Sequence, residues 1–313
     1  MLNVLTLLLF VASRMYPFVS SKSIVIGILA QRCHTNLTQC SGHDESKNYI
    51  VASYVKAIEA SGAQVIPVLS SIRDEEYYRD IARTVNGILL PGGKILDEEY
   101  EKAVKFLVRA SKTLYDRHNI SLPILGVCLG MGALLYDEFG ETIRTNSACS
   151  AHQNEPLRFT HDYENGRLFK NAYEHSRKCV ESFETTPLAI QANTHCITEK
   201  VINDVNMKRT WHVSSYTFDD DGIKHAATVE HRVYPLFGVS FHPEKSAFET
   251  SEPRFSTHFP VALQCNRYFY DFFIEYASNN NNTTVDIVQK SIFNYPVVYS
   301  SASGCYFKQT YVF

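Results

Sequence analysis

Apolar residues in the first part of the chain alternate between two patterns, one typical of buried strands and the other of amphipathic helices. Residues 23–30 form a nearly unbroken β-branched and apolar run, as in a parallel strand buried on both faces. Between 49 and 60 apolar residues recur at intervals of three and four, which predicts a helix ended by Gly62, and a short strand follows over 64–68. This order predicts a β-α-β unit and a parallel sheet with right-handed crossovers.

The same alternation continues as far as residue 139. It predicts helices over 73–84, 97–115 and 131–139 and strands over 85–90 and 122–127. The strand over 85–90 runs into Pro91-Gly92-Gly93, which at the carboxyl edge of a parallel sheet can present bare backbone N–H groups to a ligand. A plain turn is the simpler interpretation, because Pro-Gly alone would explain one.

The pattern of apolar and polar residues changes after residue 140. Residues 141–235 carry shorter apolar runs among many Thr, His and Asn, from which we predict antiparallel strands and loops laid over one side of the sheet. The later elements predicted are strands over 188–195, 211–218, 225–231 and 235–241, a helix over 261–277 with an aromatic core stripe, and docked C-terminal segments over 291–299 and 306–313.

Composition narrows the class of protein. The chain has 313 residues, of which 45% are hydrophobic and 20% charged, so it has ample material for one large α/β domain or two small ones. Its formal net charge of −3 provides no basic surface of the kind that nucleic acid requires. We therefore exclude nucleic acid as a partner.

The N-terminal segment has the composition of a targeting sequence. Residues 5–12 form an apolar run too short to span a bilayer, and Val19 and Ser21 are suited to a cleavage site. We predict a signal peptide over 1–21 and one domain over 22–313. The alternative is an ordinary buried first strand, which we favour less because a better strand follows directly.

Glycosylation sequons and cysteines also bear on whether the chain enters the secretory pathway. Acceptor triplets, which support the secretory route, begin at Asn36, Asn119, Asn281 and Asn282. Together with the signal peptide they predict a protein of the lysosome, the vacuole or the extracellular space. Eight cysteines in a chain this long do not make the disulfide framework of small secreted domains, and no pair has metal-ligand spacing, although Cys33 and Cys40 are close enough to pair.

The stretch 123–132, Pro-Ile-Leu-Gly-Val-Cys-Leu-Gly-Met-Gly, has the pattern of a nucleophile elbow. An apolar strand ends on Cys128, with Gly126 and Gly130 two positions to either side, and a helix follows. Small residues at these positions permit the strained strand-to-helix turn, and the helix N-terminus favours the reactive thiolate. The alternative is that Cys128 is one more small buried apolar residue.

A second motif supplies the partners that a thiol nucleophile needs. His242-Pro243-Glu244 follows a strong apolar strand, and the carboxyl ends of adjacent parallel strands converge. His242 can then take the proton of Cys128 while Glu244 orients the imidazole through its other nitrogen. A lone histidine is more often structural, but the elbow and the Pro91-Gly92-Gly93 loop make that alternative less favourable here.

These motifs resemble those of the class I glutamine amidotransferase-like fold and, more closely, of the γ-glutamyl hydrolases, which act on folate polyglutamates. The broad resemblance rests on Leu90-Pro91-Gly92-Gly93, Gly126-Val127-Cys128-Leu129-Gly130 and His242-Pro243-Glu244. The closer resemblance covers nearly the whole chain and rests on Gln31-Arg32-Cys33, Ala52-Ser53-Tyr54-Val55-Lys56, 62–68, Asn86-Gly87-Ile88-Leu89, His242-Pro243-Glu244-Lys245, Phe293-Asn294-Tyr295, Tyr299 and 307–313.

The resemblance implies a cysteine peptidase that hydrolyses γ-linked glutamate through a thioester. Cys128 would attack the γ-amide carbonyl, and the oxyanion would sit against the backbone N–H groups of Gly93 and Leu129. His242, oriented by Glu244, would accept the thiol proton and deliver it to the leaving glutamate.

By the same resemblance Tyr54 and His195 would line the substrate site. A polyanionic substrate favours a groove with cations, for which Arg32 and Lys245 are candidates. The implied fold is a three-layer α/β sandwich with a central, mostly parallel sheet, a flavodoxin-like core and antiparallel additions. The implied partner is a small-molecule substrate, a folate poly-γ-glutamate. The resemblance implies no cofactor, no metal and no association with a membrane. The oligomer that we consider is a homodimer.

The chain departs from the resemblance immediately after the elbow. Met131 and Gly132 stand where the animal enzymes tend to carry an aromatic and then an acidic residue, which bears on how substrate is held. Two alternative functions also stay open. One is a glutaminase subunit that feeds ammonia to a synthetase and shares the triad, and the other is a catalytically altered binding protein of the same fold.

Overall fold

The computed structural model describes residues 23–33, 47–145, 148–170, 174–249, 257–282, 287–300 and 307–313. The predicted signal peptide over 1–21, the sequon at Asn36 and Cys40 lie outside the described residues. The sequons at Asn281 and Asn282 lie partly outside them, because their threonines do.

Strands and helices alternate through the first half of the described chain. The strands are β1 (Val25–Arg32), β2 (Asn48–Val51), β3 (Gln64–Leu69), β4 (Gly87–Leu90), β5 (Ile124–Val127), β6 (Ala148–Ala151), β7 (Arg158–Phe159), β8 (Asn193–His195), β9 (Trp211–Phe218), β10 (Lys224–His231), β11 (Leu236–Val239), β12 (Val297–Val298) and β13 (Thr310–Val312). The α-helices are α1 (Ala52–Ala60), α2 (Glu75–Thr84), α3 (Glu98–His118), α4 (Leu129–Phe139), α5 (Glu141–Thr145), α6 (Glu174–Thr185), α7 (Glu199–Asp204), α8 (Lys245–Phe248), α9 (Pro260–Ser278) and α10 (Ile287–Lys290).

A mixed sheet forms the middle layer. Strands β3, β1, β4, β5 and β11 lie side by side and are all parallel. Strands β10, β9 and β7 continue the sheet beyond β11 in antiparallel order, and β2, β13 and β12 extend it from the end of β1. The prediction that residues 141–235 lie over one face was therefore wrong for β7, β9 and β10, whose backbone groups pair with the sheet edge instead.

Helices cover both faces of this sheet. Along β1, Ile26 and Ile28 pack into a core shared with α1, α6 and α9, whereas Val25 and Leu29 pack into a second core shared with α2, α3 and α4. This alternation follows from the period of two along a strand. The predicted three-layer α/β sandwich with antiparallel additions is confirmed.

The first three residues of the helix predicted over 49–60 belong to a strand. Tyr49, Ile50 and Val51 pair with β13, so that only residues from Ala52 onward are helical. Aromatic and β-branched residues suit a strand, but the partner strand comes from the far end of the chain and no local pattern reveals it. The predicted docking of segment 306–313 is confirmed for Thr310–Val312, which form this pairing, whereas residue 306 lies outside the described residues.

Two disulfides join distant parts of the described chain. Cys149 bonds to Cys196 across 47 residues, beside the small sheet that β6 and β8 form, and Cys179 in α6 bonds to Cys265 in α9 across 86 residues. The cysteine count alone gave no sign of these pairs, because their spacing is set by the tertiary fold. Within the described residues no helix is long and apolar enough to cross a membrane.

Candidate active site

Three neighbouring parallel strands bring the sequence motifs to one edge of the sheet. Strand β5 lies between β4 and β11, with Gly126 opposite Leu90 on one side and Gly238 on the other. The Pro91-Gly92-Gly93 loop, Cys128 and His242-Pro243-Glu244 each follow the carboxyl end of one of these strands. The predicted convergence of the three motifs is therefore present.

The elbow holds Cys128 in a backbone conformation that is unusual for a side chain other than glycine. Its φ is 52° and its ψ −111°, and its N–H donates to the Val239 carbonyl at 2.8 Å. The flanking glycines are required by close packing. A Cβ on Gly130 would lie 2.1 Å from the Leu90 carbonyl oxygen, and one on Gly126 would lie 2.5 Å from the Gly130 carbonyl. The strained positive φ of the turn is therefore adopted by Cys128 itself.

Nearby charges favour the thiolate of Cys128. Burial raises the pKa of the thiol, but the charge of His242, a hydrogen bond with its imidazole, the charge of Lys245 and the Leu129 N–H together outweigh burial and lower the pKa. In its protonated form the sulfur donates to the Asn193 amide oxygen at 3.2 Å, a contact that the thiolate cannot make. Cys128 therefore has the electrostatic surroundings of a nucleophile.

His242 and Glu244 form a buried pair beside the sulfur. The imidazole Nδ1 lies 2.8 Å from Glu244 Oε1, and the Tyr270 hydroxyl donates to Glu244 Oε2 at 3.1 Å. Burial opposes the charge of Glu244, but the charge and hydrogen bond of His242 lower the pKa of the carboxyl. Burial and Lys245 lower the pKa of His242, but Cys128 and Glu244 outweigh them and raise it. The arrangement thus favours a protonated imidazole next to a thiolate.

The loop after β4 is fixed from behind by side chains. The Gly92 N–H donates to the Tyr54 hydroxyl at 2.9 Å, and the Gln31 side-chain amide donates to the Gly92 carbonyl at 3.2 Å. The Tyr54 hydroxyl also lies 3.2 Å from His242 Nδ1. A Cβ on Gly92 would lie 2.6 Å from the His242 ring, so only glycine fits there.

A cavity of about 270 Å³ opens beside the sulfur. It is lined by Gly93, Lys94, Ile95, Leu96, Cys128, Leu129, Met131, Gly132, Tyr136, Ile143, Ala192, Asn193, Thr194, His195, Ile197 and Ser240. Of the predicted site residues, Gly93, Leu129 and His195 thus line the cavity together with Cys128. The two positions that depart from the resemblance, Met131 and Gly132, line it as well.

The other predicted residues lie outside this lining. Tyr54 is buried behind the loop, where it contacts His242, so its predicted contact with substrate stays a prediction. Lys245 is buried, with its ammonium 5.9 Å from the centre of the Phe307 ring. Arg32 lies 3.7 Å from the Glu99 carboxylate. These two cations were the sequence candidates for binding a polyanion, and neither lines the cavity.

Sequence reasoning missed several residues of the site. Asn193 and Tyr270 come from β8 and α9, far along the chain from the motifs they support, and no local spacing marks them. Lys94 directly follows the glycine loop, so its position was a signal that could have been used. In the described part of the chain no group of three or more His, Cys, Asp or Glu is placed to hold a metal ion.

Comparisons with known proteins agree with this geometry. A sequence model of the family peptidase C26 matches residues 24–244. The chain is 31% identical to gamma-glutamyl hydrolase of Bos taurus over 304 residues, and this match covers 95% of the present chain and 92% of that protein. It is 30% identical to gamma-glutamyl hydrolase of Homo sapiens over 301 residues, and that match covers 94% of the present chain and 91% of the human protein. The resemblance seen in the sequence is thereby confirmed.

Among solved structures, the glutaminase domain of Trypanosoma brucei CTPS with bound acivicin superposes with a TM-score of 0.51. The match covers 84% of this chain and 98% of that domain, at 11% sequence identity. At this low identity the superposition shows a shared fold alone, and that fold agrees with the class I glutamine amidotransferase-like architecture predicted from the motifs.

Proposed function

The chain belongs to the peptidase C26 family and is a cysteine hydrolase of γ-glutamyl bonds, and from this premise we propose that it cleaves folyl poly-γ-glutamates with Cys128, His242 and Glu244 as its triad. The observation that carries the residue assignment is the position of Cys128. Its sulfur lies at a helix N-terminus, within reach of the buried His242–Glu244 pair, and faces the cavity.

The geometry supports a two-step reaction. The thiolate of Cys128 attacks the γ-carbonyl carbon, and the N–H groups of Gly93 and Leu129 stabilise the oxyanion. When the C–N bond breaks, protonated His242 gives its proton to the leaving amine, and a γ-glutamyl thioester remains on the sulfur. A water molecule, deprotonated by His242, then attacks the thioester, and the free γ-carboxylate and the thiol are released.

Glu244 and Tyr54 hold the imidazole in the orientation that both steps require. Glu244 accepts from Nδ1, which leaves the other ring nitrogen to face the sulfur, and Tyr270 fixes the second carboxylate oxygen. The Tyr54 hydroxyl joins the imidazole to the Gly92 N–H, so that the base and the proposed oxyanion loop are positioned together.

Analysis of products from pteroyl-penta-γ-glutamate, with free glutamine assayed in parallel, tests this function. We expect the folate substrate to lose glutamate or γ-glutamyl peptides and glutamine to stay intact, because a glutaminase subunit would instead release ammonia. An α-linked pentaglutamate is the matched control and should not be cleaved. Ammonia from glutamine with intact pteroyl-penta-γ-glutamate would contradict the proposal and favour a glutaminase.

We further propose that the protein enters the secretory pathway and that residues 1–21 are its signal peptide. What supports this is the apolar run over 5–12 and the pair of disulfides, since disulfides persist in oxidising compartments. The final compartment, glycosylation and a homodimer stay predictions.

Expression without residues 1–21 in a reducing cytosol tests the need for oxidation. We expect four additional reactive thiols and a free energy of unfolding lower by about 2–5 kcal/mol for each missing disulfide, because both bonds close long loops. Thiol titration and urea unfolding measure these quantities. The same protein, reoxidised in vitro, is the control, and equal stability of the reduced and oxidised forms would contradict the expectation.

A further inference from the structure

The cavity beside Cys128 has an uneven charge. Lys94 and His195 line it, whereas no aspartate or glutamate does among the residues that the structure describes. The Glu141 carboxylate accepts a hydrogen bond from the Tyr136 hydroxyl at 2.8 Å and is not part of the lining. The side chain of Lys94 is exposed and makes no ion pair or hydrogen bond within the described ranges. A bound substrate would therefore face a cation with no competing carboxylate.

Gly132 also lines the cavity and leaves open space beside its backbone. A Cβ built on this residue would meet no atom within 4 Å, although Gly132 lies within α4 and has ordinary helical neighbours. Larger side chains therefore fit at this position. In the present chain the position contributes neither bulk nor charge to the cavity.

A polar group on the cavity wall also has no partner. Ser240 is 4% exposed and lines the cavity, and its hydroxyl makes no hydrogen bond within the described part of the chain. Buried hydroxyls are usually paired, so this one is suited to a polar atom of a ligand. Together with Lys94 it makes the cavity fit for a substrate that carries hydrogen-bond acceptors and negative charge.

We propose that Lys94 selects the substrate by pairing with the α-carboxylate of the γ-glutamyl unit, and that the site takes units whose α-amino group is acylated. Every γ-glutamyl unit carries the carboxylate, but its α-amine is either a free ammonium or part of an amide. An ammonium in this cavity would lie near Lys94 without a carboxylate to pair with, which is unfavourable. In folyl poly-γ-glutamates each glutamyl nitrogen is acylated, so this inference rests on the proposed function and refines it.

Two anilides that differ only in the α-amine test the selection: N-acetyl-γ-glutamyl-p-nitroanilide and γ-glutamyl-p-nitroanilide. We expect kcat/KM to favour the acetylated substrate by about tenfold or more. Lys94→Met should raise KM for the acetylated substrate by about tenfold or more and change kcat by less than about twofold, because only binding is lost. Lys94→Arg should retain most of the affinity. Lys208→Met, on an exposed lysine that does not line the cavity, is the matched control.

The open position at Gly132 provides the reverse experiment. Gly132→Glu should raise kcat/KM for the free-amine anilide about tenfold relative to Gly132→Gln, since the two side chains have the same size and only the first offers a carboxylate to the ammonium. Circular dichroism verifies that both variants are folded.

The outcomes separate this inference from the proposed function. Equal kcat/KM for the two anilides, an unchanged KM in Lys94→Met, or equal effects of Glu and Gln at position 132 would overturn the inference while γ-glutamyl hydrolysis stands. Failure of the wild-type protein to cleave either anilide or pteroyl-penta-γ-glutamate would instead overturn the proposed function.

Discussion

Replacement of Cys128 by alanine is expected to lower kcat/KM for γ-glutamyl hydrolysis by about 10⁴-fold or more, because in the proposed reaction the sulfur bonds to the γ-carbonyl carbon. The groups that surround this atom are arranged for that bond. The elbow places it at the start of α4, His242 and Lys245 favour its charge, and Gly93 and Leu129 line the cavity beside it. Steady-state kinetics with a γ-glutamyl substrate measures the loss.

The same variant should stay folded, which separates loss of chemistry from loss of structure. At a φ of 52° the backbone strain of alanine is similar to that of cysteine, and the backbone hydrogen bond to Val239 is kept. We expect the free energy of unfolding in urea to change by less than about 1 kcal/mol. A folded Cys128→Ala protein that retains wild-type activity would contradict the assignment.

Replacement of His242 by alanine is expected to lower kcat/KM by about 10²–10⁴-fold. In the proposed reaction the imidazole moves the proton in both steps, and its Nδ1 lies 2.8 Å from Glu244 Oε1. Steady-state kinetics and rescue by added imidazole measure the effect. A loss of less than about tenfold would mean that another base serves Cys128.

This variant also has a pH signature whose sign follows from the pKa shifts. In the wild-type protein His242 lowers the pKa of Cys128, and Cys128 and Glu244 raise the pKa of His242. As pH rises, the thiolate therefore forms early and the imidazolium loses its proton late, so kcat/KM should rise and then fall. Without the positive imidazolium, burial dominates and the pKa of Cys128 should rise.

Alkylation by iodoacetamide measures this change directly, because only the thiolate reacts. The midpoint of the rate against pH should move to higher pH in His242→Ala. His195→Ala is the matched control, since it removes a histidine that lines the same cavity but does not contact Glu244. An unmoved midpoint in His242→Ala, or the same movement in His195→Ala, would contradict the proposed ion pair.

The sequence predicted the parts of the site that depend on short segments. Cys128 between two glycines and His242-Pro243-Glu244 each follow an apolar run, and the rule that carboxyl ends of parallel strands meet at one edge was sufficient to bring them together. The same local patterns gave the order of β1, α1, β3, α2, β4, α3, β5 and α4. Features that depend on residues close together along the chain could therefore be predicted from the sequence.

What the sequence did not reveal depends on contacts between distant segments. Tyr49 joined a strand instead of a helix because β13 pairs with it, and Asn193 and Tyr270 reach the triad from elements far along the chain. The prediction of which cations lie at the cavity was wrong for the same reason. Lys245 is buried and Arg32 lies near Glu99, while Lys94, which no sequence motif marks, lines the cavity.

In the proposed mechanism Cys128 carries the γ-glutamyl group as a thioester, and mass spectrometry of an acid-quenched single turnover detects such an intermediate. We expect the peptide that contains Cys128 to gain the mass of the acyl group of the substrate, hydroxylamine to remove this mass, and Cys128→Ala never to acquire it. Full turnover with no acyl group at Cys128, or with the group on another residue, would rule out the thioester mechanism.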